Sequence, residues 1–154
     1  MRCRPSLGIA LLVGAFAAGH ADAACNVAAT GINFGVYDVF SPIPLDSTGS
    51  VTVSCDEIPP GNVIIAIGPG GAGTFLPRRM RHESLPDVLD YNVFTSPAMS
   101  VVWGDGTGGT ATVSAGRVPP RRPPRPITIH ARIPPNQNVS AGSYSDTIVV
   151  TVSW

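Results

Sequence analysis

The last eleven residues, Tyr144-Ser-Asp-Thr-Ile-Val-Val-Thr-Val-Ser-Trp154, carry the strongest structural signal in the chain. Apart from Asp146, the even-numbered positions are large and apolar, whereas the odd-numbered positions are mostly Ser and Thr. Successive side chains point to opposite faces of a β-strand. The segment therefore predicts a strand over 144–154 with one face buried.

The same alternation of apolar and polar residues recurs upstream, and no helical period is sustained after residue 23. This alternation predicts further strands at 51–55 and 127–133, and the run at 63–67, apolar on both faces, predicts a central strand of a sandwich. Weaker strands are predicted at 25–29, 32–36, 75–80, 89–95, 101–103 and 110–114. Clusters of Gly, Pro and Asp separate these segments and indicate turns. Many short strands with frequent turns predict an all-β fold. A β-sandwich fits this pattern best, and a closed barrel is the alternative.

Residues 1–23 have the pattern of a secretory signal peptide. Two early arginines precede an apolar run over 7–18, and a small-residue series ends at Ala23. We expect cleavage there, which leaves one exported domain over 24–154. A retained N-terminal anchor is the alternative, although the cleavage site disfavours it. No later stretch approaches the ~20 apolar residues of a spanning helix, so stable membrane insertion is not expected.

Removal of residues 1–23 leaves Cys25 and Cys55 as an even pair in an oxidising compartment. Such a pair favours one disulfide. On the chain-entropy model a loop of this length contributes about 3–4 kcal/mol of stability. The alternative, two thiols that share a metal ion, lacks nearby ligands because His82 and His130 are the histidines of the exported domain. We therefore expect neither a metal nor another cofactor.

The charge balance gives no reason to expect a nucleic-acid partner. The chain has ten basic and ten acidic residues, and the signal peptide takes two arginines and one aspartate with it. The remaining eight basic and nine acidic side chains leave the exported domain close to neutral.

Two arginine-bearing segments could together form an anion-binding face for polysaccharide or lipid headgroups. Solvated loop charges, partly paired with aspartates, are the favoured interpretation. The segment 117–126 is rich in Pro and free of acidic residues, so we expect an exposed connection there rather than sheet. The arginines concerned are Arg78, Arg79, Arg81, Arg121, Arg122 and Arg125.

No motif supports catalysis. Residues 104–109 satisfy the G-x-G-x-x-G spacing, yet a strand pattern follows them instead of the helix that phosphate binding needs. His82 and Glu83 with Asp87 and Asp90 could be a metal or acid–base cluster, but a solvated loop is favoured. The nucleophile-elbow, zinc-protease and calcium-loop patterns are absent from the sequence. The chain is therefore not expected to be an enzyme.

Five phrases of the sequence resemble the spore coat protein U family, whose members include subunits of archaic chaperone-usher pili. They run in the family's order over essentially the whole exported domain, and the insert 117–126 departs from the pattern. The phrases are Cys25-Asn-Val-Ala-Ala-Thr-Gly-Ile-Asn-Phe-Gly-Val-Tyr-Asp38, Pro44-Leu-Asp-Ser-Thr-Gly-Ser-Val-Thr-Val-Ser-Cys55, Leu89-Asp-Tyr-Asn-Val-Phe-Thr95, Trp103-Gly-Asp-Gly-Thr107 and Ile133-Pro-Pro-Asn-Gln-Asn-Val-Ser-Ala-Gly-Ser-Tyr-Ser-Asp-Thr147.

The resemblance implies an immunoglobulin-like, pilin-type sandwich that lacks its final strand, so that a hydrophobic groove stays open. A periplasmic pilus chaperone would first lend a strand, and a neighbouring pilus or coat subunit would then replace it. An outer-membrane usher would be a further partner. By this analogy the terminal strand borders the groove, although its residues are equally compatible with an ordinary core. The residues assigned to the groove and its edge are Tyr144, Ile148, Val150, Val152 and Trp154.

The resulting hypothesis is a secreted structural or adhesive subunit on a cell surface, fimbrium or spore coat. Cleavage after Ala23 would leave only Ala24 ahead of Cys25, so the chain is expected to accept a strand without donating one. That would suit a tip or minor subunit. The alternative hypothesis is a self-sufficient carbohydrate- or ligand-binding sandwich that uses the arginine-bearing loops.

Overall fold

The computed structural model describes residues 24–120, 123 and 126–154. This part of the chain is all-β, as the alternating sequence pattern predicts, and contains no helix. It therefore offers no helix long and apolar enough to cross a membrane. The nine strands are β1 (Cys25–Thr30), β2 (Leu45–Cys55), β3 (Val63–Ile67), β4 (Arg78–His82), β5 (Val88–Phe94), β6 (Val113–Gly116), β7 (Ile127–Ile133), β8 (Tyr144–Ser145) and β9 (Val150–Ser153).

The strands form two antiparallel sheets. The large sheet has the order β1-β2-β7-β5-β4-β8, and the small sheet has the order β6-β3-β9. Within the described residues, β1 and β8 are thus the edges of the large sheet, and β6 and β9 are the edges of the small one. The predicted β-sandwich is confirmed.

The core lies between the inner faces of the two sheets. Every second residue is buried from Gly49 to Cys55 in β2, throughout β3 and from Ile129 to Ile133 in β7, which is the result expected from a period of two. Trp103 lies at the centre, fully buried, and its indole N–H donates to the carbonyl of Ile65 at 3.0 Å. The other apolar residues of the core are Val51, Val53, Cys55, Val63, Ile67, Met80, Leu89, Tyr91, Val93, Ile129, Ala131 and Ile133.

The disulfide predicted between Cys25 and Cys55 is confirmed. The two residues are directly opposite each other where β1 begins and β2 ends. The bond therefore ties the edge strand β1 to the interior of the large sheet.

The predicted strand over 32–36 is wrong. The Asn33 side chain accepts the N–H of Gly35 at 2.9 Å, and Gly35 has a φ of 73°, so the extended backbone is interrupted. Ile32 and Phe34 still pack against the core from this irregular connection. Ile32 and Phe34 are therefore apolar because they pack against the core, although they do not lie in a strand.

The terminal segment is also not one continuous strand, because the chain crosses from the large sheet (β8) to the small sheet (β9) between Ser145 and Val150. Asp146 marks the crossing. Its carboxylate accepts hydrogen bonds from the backbone of Gly71 and Thr147 at 2.8 Å each, and from the Tyr91 hydroxyl at 2.7 Å. A carboxylate bound in this way holds the local backbone away from ladder geometry.

Three weaker predicted strands are displaced or reduced. The strand predicted over 75–80 begins only at Arg78. The segment 101–103 forms isolated bridges, and the strand predicted over 110–114 becomes β6. The described residues of 117–126 lie outside any strand, as the proline content predicts, yet Val118 to Pro120 are half-buried.

Candidate functional site

Among residues 24–120, 123 and 126–154, β9 pairs with β3 on one side and with no strand on the other. The amide of Gly68 donates to the carbonyl of Val149 at 2.8 Å, and the register continues antiparallel to Ser153 opposite Ile64. In an antiparallel pair, alternate residues direct their backbone groups toward the partner strand. The N–H and C=O groups of Val150 and Val152 therefore point away from β3, to the free edge of the small sheet.

The side chains on the inner face of β9 are incompletely covered. Ile148, Val150 and Val152 pack against the core but are only half-buried. The inner residues of the neighbouring strand β3, by contrast, are all 0 % exposed. Since the two strands are adjacent, the difference arises because nothing in the described structure covers β9 from its outer side.

The inner face of β1 is uncovered as well. Val27 is opposite Val53, and Ala29 is opposite Val51, so both side chains point to the core side of the large sheet. Val53 is 5 % exposed, whereas Val27 is 43 % exposed. The interior of the sandwich is thus open along two edge strands, one in each sheet.

A third opening is a cleft of about 840 Å³ between two connections. Its floor contains the core residues Met80, Leu89 and Ile133, and its walls are the segments 32–40 and 139–144. Tyr144 lies in one wall. Of the residues predicted to line a groove, the structure places Tyr144 at this cleft and the others on or beside β9. Trp154 is 44 % exposed beyond the end of β9.

His82 anchors one wall of this cleft. Its Nδ1 accepts the amides of Ser84 and Leu85 at 3.0 Å each, and its Nε2 lies 3.2 Å from the carbonyl oxygen of Ala141. Because Nδ1 accepts two hydrogen bonds, Nε2 carries the proton that Ala141 accepts. The expectation of a solvated loop is wrong for His82, which is buried at the end of β4 against the Tyr144 ring.

Asp87 supports the same wall from the solvent side. Its carboxylate accepts the Ser140 amide at 3.0 Å, and hydrogen bonding by Ser140 lowers the pKa of Asp87. No group of three potential metal ligands occurs among the described residues. His82 and Asp87 therefore have a structural explanation in fixing the connection 139–143.

The expectation of solvated charges or an anion-binding face is wrong for Arg78, which is fully buried. Its guanidinium donates to neutral acceptors on three parts of the fold and lies 5.2 Å from the Phe75 ring centroid. Burial lowers the pKa of Arg78. The acceptors are the carbonyls of Gly68 (2.9 Å), Ile67 (3.2 Å) and Trp103 (2.8 Å) and the side-chain oxygen of Asn92 (2.8 Å).

The other predicted arginine face is not assembled by the described residues. Arg79 forms an ion pair with Asp90 at 3.0 Å on the outer surface. Arg121, Arg122 and Arg125 lie outside the described residues. The sequence did contain a signal for Arg78, because it has the same parity as Met80, and a strand that buries Met80 also turns Arg78 inward.

Comparisons with known proteins agree with this architecture. The family model for the Spore Coat Protein U domain matches residues 13–151. "Protein U" of Myxococcus xanthus is 31 % identical over 135 residues, which cover 80 % of this chain and 71 % of that protein.

A similar solved structure is the CsuC-CsuE chaperone-tip adhesion subunit pre-assembly complex from the archaic chaperone-usher Csu pili of Acinetobacter baumannii. The TM-score is 0.58 at 19 % identity, so the likeness concerns the fold. The alignment covers 86 % of this chain and 40 % of the matched chain, so this chain spans two fifths of that chain's length.

Proposed function

Because the chain belongs to the Spore Coat Protein U domain family, we propose that it is a secreted structural or adhesive subunit of a bacterial pilus or spore coat, completed when a partner adds a strand along β9. The observation that carries the proposal is the contrast between β3 and β9. Inner aliphatic residues are fully buried on the central strand and half-buried on the adjacent edge strand.

The geometry of β9 suits strand addition by main-chain pairing. The backbone groups of Val150 and Val152 face the free edge, and their side chains face the core. An added strand would therefore form ladder hydrogen bonds with these residues and place its own alternate side chains over the core. In this arrangement Ile148, Val150 and Val152 border the groove and Trp154 extends it, whereas Tyr144 lies at the separate cleft.

The proposed partners follow from an edge that requires a strand from elsewhere. A periplasmic chaperone lends a strand after residues 1–23 direct export, and an outer-membrane usher and neighbouring subunits take part in assembly. The similar solved structure is a complex of a chaperone with a tip adhesion subunit of a pilus, which supports this class of partner. The function is adhesion or structure at the cell surface, without catalysis.

Hydrogen exchange on the full chain tests the proposal at single amides. The amides of Val150 and Val152 should exchange quickly in the isolated chain, whereas that of Thr151, which faces β3, should be protected. Addition of a periplasmic pilus chaperone or of a neighbouring subunit should then protect Val150 and Val152. A soluble monomer with a two-state melt, in which these two amides are already protected, would contradict the proposal.

A matched pair of variants separates strand addition from general surface effects. Val150→Ser removes an aliphatic side chain that faces the core and the added strand. Val149→Ser removes one that faces outward and is 66 % exposed. We expect the first variant to weaken capture by the chaperone at least tenfold and the second to leave it nearly unchanged.

A further inference from the structure

The four edge strands of the described part differ in how they are protected. Natural edges are blunted by short length, bulges, proline or charge, because an unprotected edge pairs with other strands. β8 has only two residues, Tyr144 and Ser145. β6 has a register shift opposite Val63 and Ile64, and it ends at Gly116 with a φ of 69°. These two edges are protected, and the proposed function occupies β9.

β1 is the remaining edge, and it has none of these protective features. Its six residues, Cys25-Asn-Val-Ala-Ala-Thr30, include no proline and no charged side chain. The register with β2 runs without a bulge from Cys25 opposite Cys55 to Thr30 opposite Ser50. Five of the six residues are exposed. The strand is thus straight, neutral and accessible.

Alternate residues of β1 direct their backbone N–H and C=O groups away from β2. The amide of Asp56 donates to the carbonyl of Ala24 at 3.0 Å, so Ala24 faces β2. Because the direction alternates along a strand, the N–H and C=O groups of Cys25, Val27 and Ala29 point to the open edge. The same three residues have side chains on the core side of the sheet.

We propose that β1 pairs antiparallel with β1 of a second copy of this chain, about a two-fold axis through Val27. This register places Val27 opposite Val27, Cys25 opposite Ala29, and Asn26 opposite Ala28. Every free peptide group of Cys25, Val27 and Ala29 then finds a partner, which gives about six hydrogen bonds. Core-side residues meet core-side residues, so the two large sheets continue into each other.

The occupant is a second copy because the strand is complementary to itself. A two-fold axis brings identical surfaces together, and like charges that face each other oppose such pairing. β1 has no charged side chain, and its outward-facing residues Asn26 and Ala28 are small. The pairing also covers Val27, which is 43 % exposed although it faces the core side.

The strength of this contact follows from its size. Pairing two six-residue strands buries less than the ~800 Å² per partner of a standard stable interface. The contact is therefore weak between free monomers, with a dissociation constant on the order of 10 µM to 1 mM. The contact becomes effective where an assembly holds many copies side by side, because the effective concentration of neighbouring β1 strands then exceeds that of free monomers. Lateral association of neighbouring subunits is the expected consequence.

Sedimentation velocity of the full chain over a range of concentrations tests the proposal. Val27→Pro removes one outward N–H from each copy at the centre of the contact, yet it leaves the pairing with β2 intact because that N–H does not face β2. We expect self-association to weaken at least tenfold. Val27→Thr keeps the N–H and the branched shape, and it should stay within about threefold of the unaltered chain. Equal association of the two variants would overturn the proposal.

Val152→Pro distinguishes this contact from the edge used in the proposed function, because it removes an outward N–H from β9. A loss of self-association in Val152→Pro but not in Val27→Pro would refute pairing through β1 and leave the proposed function standing. An unaltered chain that is monomeric at every concentration up to 1 mM would also refute it.

Disulfide trapping provides an answer even if Val27→Pro does not fold. Asn26 and Ala28 face outward, away from the native disulfide, and the proposed register sets each opposite the other in the second copy. The double variant Asn26→Cys, Ala28→Cys should therefore form a covalent dimer on mild oxidation, while Ala28→Cys alone should remain monomeric. Equal trapping of both variants, or of neither, contradicts the two-fold register.

Discussion

Replacing Arg78 by methionine is predicted to be among the most destabilising single changes in this protein. The guanidinium is 0 % exposed and donates to four acceptors, and none of the four is a carboxylate. Three of them are backbone carbonyls, those of Ile67 at the end of β3, of Gly68 directly after it and of Trp103. Arg78 therefore joins the small sheet to the large one through a buried charge without a buried counter-charge.

The magnitude follows from the groups left behind. Methionine fills much of the space of the arginine stem but donates nothing, so the acceptors lose their partner at about 1–3 kcal/mol each. The desolvation cost of the cation, which is several kcal/mol, disappears at the same time. For four acceptors the loss is roughly 4–12 kcal/mol, and the middle of that range less several kcal/mol of desolvation leaves about 3–5 kcal/mol. This is a large part of the roughly 5–15 kcal/mol that stabilises a domain.

Urea denaturation followed by tryptophan fluorescence measures this loss, since the buried Trp103 reports directly on the site. The control is Arg79→Met on the same strand, whose ion pair with Asp90 is 45 % and 37 % exposed at its two side chains. An exposed pair contributes about 0–1 kcal/mol. A loss below 1 kcal/mol for Arg78→Met, or equal losses for the two variants, would refute the reasoning.

Two further predictions concern side chains near the cleft and the β8–β9 crossing. Burial and the hydrogen bond to Asp146 raise the pKa of Tyr91, so the phenol stays neutral in the folded state while it ionises above pH ~10 in the unfolded chain. The free energy of unfolding should therefore include this contribution below that pH and fall above it. Tyr91→Phe should flatten the fall in a series of urea midpoints from pH 8 to 11. Gly142→Ala would place its Cβ against Nε2 of His82 and should lower the free energy of unfolding by about 1–3 kcal/mol. Gly31→Ala, which has open space around its Cβ, should change the thermal midpoint by no more than about 3 °C. Equal effects of the two variants in differential scanning calorimetry would contradict the predicted clash with His82.

The sequence predicted those parts of the fold that depend on local alternation. The strands over 51–55 and 127–133 appear with the apolar side of the alternation turned inward. The strand over 63–67, expected to be buried on both faces, leaves Ile64 and Ala66 half-buried. The disulfide was predictable for a different reason, since residues 24–154 contain an even pair of cysteines, which favours one disulfide in an oxidising compartment. Each of these inferences needs only residues close together in sequence or a count.

The sequence failed where a polar residue is satisfied by distant segments. Arg78 and His82 were expected in solvent because charged and polar side chains are rarely buried alone. Their acceptors come from positions that are up to 59 residues away, so no local pattern reveals them. For Asp146 part of the answer was visible in the sequence. Its position among even-numbered apolar residues marked an irregularity in the strand pattern, but the crossing between the sheets depends on contacts with Gly71 and Tyr91.

The free edge along β9 shows the same difference between what local sequence predicts and what depends on distant segments. Alternation placed Val150 and Val152 on an inner face, and the structure adds how well that face is covered. A three-stranded sheet stands against a six-stranded one, and the shortfall appears as half-buried residues on β9 and exposed ones on the inner face of β1. One added strand beside β9 would bury aliphatic side chains at ~25 cal/mol per Å² and pair a free backbone edge in a single step. A partner that did only one of these would leave either apolar surface or unpaired amides exposed, so an extended segment with alternating apolar residues suits this edge better than a helix or a folded surface.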